Sequence, residues 1–400
     1  MAIFGKNELT LLWPFYLDSL LSPMLFFAPA FFIIYFANLN LTFFQIGILM
    51  AIVHIAVICF EIPTGAIADL YGRKFSVLLG YFLEGMCFLL MFFVKSYSAM
   101  LVIFILWGIS VTFSSGSKEA WIIDLLKKEN KNLLHSYFNK AQSIDSFALI
   151  VSGFLGAFLV KSFGLSVIWP VAAASFLISF LVLIFAKEFY VKRKVKISES
   201  VSQTWRQGVD SVKYSYNHHV LFYLLLSAIL LTFALNIQSS VSWIPFLKQL
   251  GIADYALGYV WSAMGFAIMV SPLFAAKFLK KGSERKFMVL CMIIVAAITF
   301  MILLANSLAY ALAILLLGMF FYFAQRPARR VYFHRFIPGK MRATIGSFES
   351  VLTSIASGIS IALAGFLVDV IGPKYTIFIS GFFIIPAIII YLRINEKKRN

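Results

Sequence analysis

The residues of this chain with chemistry to offer are ionisable side chains set inside long apolar runs. Asp18, Glu61 and Glu84 are carboxyls in such runs. Lys118, Glu119, Asp124 and Asp145 follow in the first half of the chain, and Arg326, Arg329, Arg330 and Glu349 in the second. An ionisable group in a membrane core costs a few kcal/mol even on lenient insertion scales, so each needs a partner or a function. Asp18 lies about ten residues into its run, roughly 14 Å along a helix and close to a bilayer midplane. Pro14 and Pro23 flank it and loosen the backbone there. It is either a site for a proton or substrate, or a buried carboxyl bonded to Ser19 or Ser22. Glu84 is similarly deep, and Glu61 lies about two helical turns from the end of its run, just before Pro63. A desolvated carboxyl can take up and release a proton near neutral pH, which suits both to proton coupling. For Glu61, pairing with a loop cation is the alternative. His54, a lone imidazole on an apolar stretch, reads as a packed, hydrogen-bonded side chain.

A second constellation is a match of opposite charges. Lys118, Glu119 and Asp124 occupy the inner part of the fourth apolar run, and Arg326, Arg329 and Arg330 an equivalent depth in the tenth. Ser143-Ile144-Asp145-Ser146 in the fifth run is echoed by Ser347-Phe348-Glu349-Ser350 in the eleventh. The arrangement predicts a cytoplasmic gate in which, when the inner mouth is shut, Asp145 pairs with the Arg326/Arg329 group and Glu349 with Lys118, links that break when the halves rock apart. Pairing within each half is the alternative.

The elements that position these residues follow from composition. Hydrophobic residues make up 62% of the 400, charged residues 13%, and mean hydropathy is +0.92, which would leave very large apolar patches on a soluble domain. An all-α membrane protein is predicted. Runs long enough to cross a bilayer fall at 9–36, 43–67, 74–94, 99–125, 137–161 and 165–187, then at 219–247, 255–279, 286–305, 308–333, 343–370 and 373–393. The reading is 12 transmembrane helices in two pseudo-symmetric six-helix bundles, 1–187 and 219–400, joined by a basic linker, 188–218, with an amphipathic surface helix over 198–216. The first run is too long and proline-punctuated for a signal peptide and reads as a retained helix. Lys95, Lys161, Lys248 and Lys374 fall on one side of this topology and Lys118 within a helix. The remaining lysines and arginines lie on or near the other side, which predicts both termini in the cytoplasm, in a prokaryotic cytoplasmic membrane. Arg73-Lys74-Phe75 at the third helix recurs as Arg285-Lys286-Phe287 at the ninth, supporting parallel halves.

Other classes lack support. The net charge of +17 is spread over short loops rather than gathered on a polar domain, so no nucleic acid is expected. Cys59, Cys87 and Cys291 show no CxxC spacing, and there is no HExxH, so neither metal nor cofactor is implied. No nucleophile–base pair points to an enzyme.

Gly65-Ala66-Ile67-Ala68-Asp69-Leu70-Tyr71-Gly72-Arg73-Lys74 reads as the turn between the second and third helices. Its G-x-x-x-D-x-x-G-R-K spacing resembles the corresponding loop of the major facilitator superfamily of secondary transporters, and nearly the whole chain resembles the twelve-helix drug/proton antiporter group. Ser115 to Trp121 with Asp124, and Arg342-Ala343-Thr344, also look like facilitator sequences. The resemblance implies an inter-half latch: Gly65 lets the second helix pack against the eleventh, Asp69 faces the start of the eleventh, and Arg73 pairs with Asp124, beside Gly72 and Lys74. The fourth helix reads Leu106-Trp107-Gly108-Ile109-Ser110 where the antiporters carry R-x-x-Q-G. The fifth keeps only Gly153 and Gly156 of a glycine-rich run. The resemblance therefore implies the superfamily and leaves direction open.

In that fold the first, fourth, seventh and tenth helices line the cavity. The candidate lining is Tyr16, Asp18, Trp107, Phe113, Asn236, Gln238, Trp243, Phe320, Phe321, Tyr322 and Gln325. Most of the 44 phenylalanines are expected in packing. An aromatic lining with Asp18 suits a lipophilic or cationic solute, whereas Lys118 and the arginines suit an anionic group. The expected function is proton-coupled export of a small organic molecule by a monomer in the lipid bilayer, with uptake symport of a nutrient or organic anion as the alternative.

Overall fold

The computed structural model describes residues 4–5, 8–189, 213–280, 282–338 and 341–394, with the side chains of 342 and 343 left aside. Among the described residues, twelve helical spans are long and apolar enough to cross a membrane: α1 (Glu8–Asn38), α2 (Phe43–Tyr71), α3 (Arg73–Phe93), α4 (Tyr97–Glu129), α5 (Leu133–Phe163), α6 (Leu165–Ile184), α7 (His219–Gln249), α8 (Ala256–Phe278), α9 (Glu284–Leu304), α10 (Leu308–Arg335), α11 (Thr344–Ile371) and α12 (Pro373–Arg393). The chain is an integral membrane protein with the predicted all-helical architecture. Most of the expected linker helix, 198–216, lies outside the described residues.

One expectation is corrected at α2. Gly65 to Tyr71 are helical, so the turn to α3 shrinks to Gly72, whose φ of 102° suits a residue without Cβ. Inside a membrane the backbone keeps its own hydrogen bonds wherever it can, and a glycine in the helix does not end it.

The packing repeats. α1 lies against α5 and α6, and α3 against α4 and α6; in the second half α7 lies against α11 and α12, and α9 against α10 and α12. Lys74, at the start of α3, donates through Nζ to the carbonyls of Ile184 (2.7 Å) and Ala186 (2.8 Å) at the end of α6. Arg285, at the start of α9, donates likewise to Leu392 (2.6 Å) and Ile394 (2.7 Å) at the end of α12. In each half a cation satisfies carbonyls that a helix end leaves free and complements its dipole. The structural repeat thus matches Lys74 to Arg285, one residue away from the alignment that the Arg-Lys-Phe strings suggest.

Among the described residues, α1, α4, α7 and α10 are broken inside the span. Their helical segments part at 26–31, at Ser115-Gly116, at Gln238-Ser239 and at Gln325. Proline explains the first, where Pro23 and Pro29 lack an amide donor, and a glycine at φ 69° the second. At α7, outside the span, His218 Nδ1 accepts from the Leu221 amide at 3.4 Å. Burial lowers the pKa of this imidazole, which keeps it a neutral acceptor.

Two compact units emerge. One holds Met1–Tyr35, Ile55–Val201 and Asp254–Gly265; the other Phe36–His54, Ser202–Ala253 and Phe266–Asn400. Each thus includes a short helical stretch from the opposite half of the sequence. The first unit has an aromatic core: Phe32 stacks on Trp169 (5.2 Å), Phe88 on Phe176 (5.5 Å), and Trp107 meets Phe88 edge-on (5.1 Å). The second is built on Leu224, Met288, Met292, Tyr332, Ile384 and Tyr391.

Also in the first unit, α5 and α8 approach backbone to backbone, with Gly153 and Gly258 each lying where the other's Cβ would need to be. Gly153→Val should therefore destabilise by about 1–3 kcal/mol or more. Gly346→Ala, where a Cβ meets nothing within 4 Å, should be neutral or stabilising by up to about 1 kcal/mol. Thermal unfolding in detergent distinguishes the two.

Candidate functional site

The break in α4 builds the site. After Gly116 the helix restarts at Ser117, which places Lys118 in the first turn of a new segment. Lys118 Nζ forms an ion pair with Asp18 Oδ2 from α1. Asp18 is fully buried; Tyr81 of α3 donates to the same oxygen at 3.4 Å, and Oδ1 has no partner. α3 can lie close to α4 because a Cβ on Gly80 would come within 3.0 Å of the Ser110 carbonyl and the Ser114 amide. One turn along, Glu84 accepts from Ser114 Oγ at 3.1 Å and forms no ion pair among the described residues. Asp145 of α5 is half-buried, near enough to Ser19 and Lys118 to feel both. Four helices thus bring three carboxyls and one ammonium together in the first unit.

The second unit pairs its own charges. Arg329 is ion-paired to Glu349, and Arg335 to Glu284 at 2.7 Å. In this structure Lys118 binds Asp18 and Arg329 binds Glu349. The reason is proximity within each unit: α4 meets α1 through the Gly116 break, and Glu349 lies on the neighbouring helix 20 residues after Arg329. Arg326 is exposed over the Phe323 ring at 4.5 Å, and Arg330 and Glu119 are exposed. Gln238, Tyr322 and Gln325 share one small cavity of about 10 Å³, enough for a single water. The Gln325 oxygen there has no partner. Asn236 donates to Ser357 at 3.0 Å, and Trp243 is buried beside Phe246. Phe113 is buried too, and Trp107 belongs to the aromatic core. Glu61 is exposed and His54 half-buried.

At the expected latch Arg73 Nε lies 3.2 Å from Asp124. The Lys74 amide donates to Glu188 at 2.8 Å, and Asp69 is half-exposed. A Cβ on Gly65 would meet nothing within 4 Å.

Sequence reasoning missed two groups. Tyr81, three residues before Glu84 and hence on the same helix face, was the legible one. Glu8 was not: it is fully buried, accepting from Tyr16 (2.6 Å) and bound by both oxygens to Lys140 (2.8 and 2.7 Å). Tyr16 is thereby held by a structural pair, with its apolar edge on a groove of about 540 Å³ between α1 and α5. Leu9, Trp13, Leu17, Leu20, Ile144 and Phe147 line the rest of it, with Ser143.

Twelve spans, two like-packed sixes and breaks at matching places in each define a polytopic membrane carrier. The chain belongs to the Major Facilitator Superfamily, whose family model matches residues 17–348, and it is a transporter. It is 23% identical over 380 residues to the uncharacterized MFS-type transporter YxaM of Bacillus subtilis, covering 92% of each chain. To Multidrug resistance protein 2 of the same organism it is 22% identical over 396 residues, covering 92% of this chain and 96% of that one. Its fold is that of the nucleoside transporter NupG, with a TM-score of 0.77 at 14% identity, over 95% of this chain and 98% of that one.

Lys118→Ala would leave Asp18 buried without its cation, at a cost of about 3–5 kcal/mol. Replacing both, as Asp18→Asn with Lys118→Gln, should recover much of that loss. Chemical unfolding of the single and double variants checks the coupling.

Proposed function

We propose that this transporter exports a small lipophilic or cationic organic solute in exchange for protons. The observation that supports it best is the cluster of the buried Asp18 and Glu84 and the half-buried Asp145 around Lys118. With all groups ionised, three carboxylates face one ammonium. Uncompensated charge is costly in such a site, so further positive charge has to come from protons or from cargo. A cationic solute entering the cluster thereby displaces a proton, which is the stoichiometric link an exchanger needs. Asp18 is the leading coupling residue because one of its oxygens is committed to Lys118 and Tyr81 while the other is free to take a proton. Protonation there would release Lys118 towards Asp145.

The groove of about 540 Å³ beside Tyr16 is within the size range of small-molecule sites and largely apolar, which favours a lipophilic solute. The breaks in α1, α4, α7 and α10 fit the same reading, since interrupted helices mark the sites of many carriers. The multidrug relative points the same way. We further infer that the six-helix halves of the sequence rock about the cluster and that both termini are cytoplasmic. The Arg73–Asp124 pair would steady the cytoplasmic ends of α3 and α4.

The test is a substrate-driven pH change. Tetraphenylphosphonium added outside proteoliposomes with an acidic lumen should raise the lumenal pH, and Asp18→Asn should reduce that response more than about tenfold. Acidification on adding the solute would identify uptake symport instead. An unaltered response in Asp18→Asn would remove Asp18 from the coupling site.

A further inference from the structure

The first turn of α2 satisfies only part of its own backbone. Thr42 and Gln45 cap each other: the Gln45 amide donates to Thr42 Oγ1 at 3.2 Å, and the Thr42 amide to Gln45 Oε1 at 3.0 Å. The amides of Phe43 and Phe44 are left over. Both donate to a single carboxylate, that of Asp369, at 3.0 Å to Oδ1 and 2.7 Å to Oδ2. Asp369 stands in the last turn of α11, where its charge opposes the dipole of its own helix. Its position is explained by the N-terminus of α2, a helix from the other half of the sequence.

The surrounding backbone is shaped for this contact. A Cβ on Gly365 would overlap the Phe43 carbonyl, and one on Gly47 would come within 2.8 Å of the Ile361 carbonyl. The α5–α8 seam is built alike in the first unit, with Gly153 against Gly258 and Ser262 Oγ donating to the Ile150 carbonyl at 2.6 Å. Lys161, three residues before Gly164, corresponds there to Asp369, three residues before Gly372. It lies 5.2 Å from the Tyr255 ring at the start of α8. Of the two seams, the one closed by Asp369 carries a charge-assisted pair of backbone bonds.

We propose that Asp369 is a positioning residue of the transport cycle: its carboxylate bolts the end of α11 to the first turn of α2 in this conformation and has to release it when the two sequence halves part at that end. This rests on the rocking motion proposed above, not on the cargo or the coupling ion.

Ile361→Cys, in a background with Cys59, Cys87 and Cys291 replaced by serine, places a reporter thiol at the seam. Nanodiscs expose both faces, so membrane orientation does not enter. Adding Asp369→Ala should speed labelling by a membrane-impermeant maleimide about tenfold, and Asp369→Asn less. Gly47→Ala, which pushes on the Ile361 carbonyl without touching Asp369, should also speed it. Labelling unchanged in an Asp369→Ala protein that keeps its size-exclusion profile overturns the proposal. If that variant does not fold, unchanged labelling in Asp369→Asn overturns it equally. Neither proton nor solute takes part in the measurement, so its failure leaves the exchange reading untouched.

Discussion

Charge that has no water around it must find charge or hydrogen bonds nearby, and the arrangement of this transporter follows from that constraint. Asp18 with Lys118, Glu8 with Lys140, Glu284 with Arg335 and Arg329 with Glu349 each bring two helices to a fixed mutual depth. Apolar packing alone does not set such registers within lipid, because lipid tails are as apolar as the side chains themselves. The ion pairs supply the specificity, and the aromatic core of the first unit fills the space between them. The cluster around Lys118 differs from the other pairs in holding more acids than cations. The proposed exchange draws on that imbalance.

Backbone geometry decides which charges can meet. Lys118 reaches Asp18 because α4 stops at Ser114 and restarts at Ser117. Glu84 reaches Ser114 because Gly80 lets α3 and α4 approach. A conformational cycle that moved either contact by one helical turn would change which acid Lys118 neutralises. The arrangement of the cluster therefore has its origin in two glycines.

Much of the fold was legible in the sequence because hydropathy over about 20 residues is a direct consequence of bilayer thickness. The twelve spans lie within a few residues of their expected places. What local pattern does not carry is where a helix breaks or continues. Gly65 looked like a turn residue and is helical, while Gly116 ends a segment. The difference depends on the neighbours that replace lost backbone bonds, which are distant in sequence. The same limit applies to the site. Asp18, Glu84, Lys118 and Asp145 stood out as charges out of place, but their partners did not. Lys118 meets Asp18 of α1, a helix distant from it in sequence. Asp369 escaped notice because an acid near the end of an apolar run looks ordinary until the helix it caps is known.

The bonds from Lys74 to the end of α6, and from Arg285 to the end of α12, also bear on how the chain is made. The third helix of each half presents its cation long before the carbonyls it will hold have been synthesised, since Lys74 precedes Ala186 by 112 residues and Arg285 precedes Ile394 by 109. In each half these bonds can form only once the sixth helix is in place.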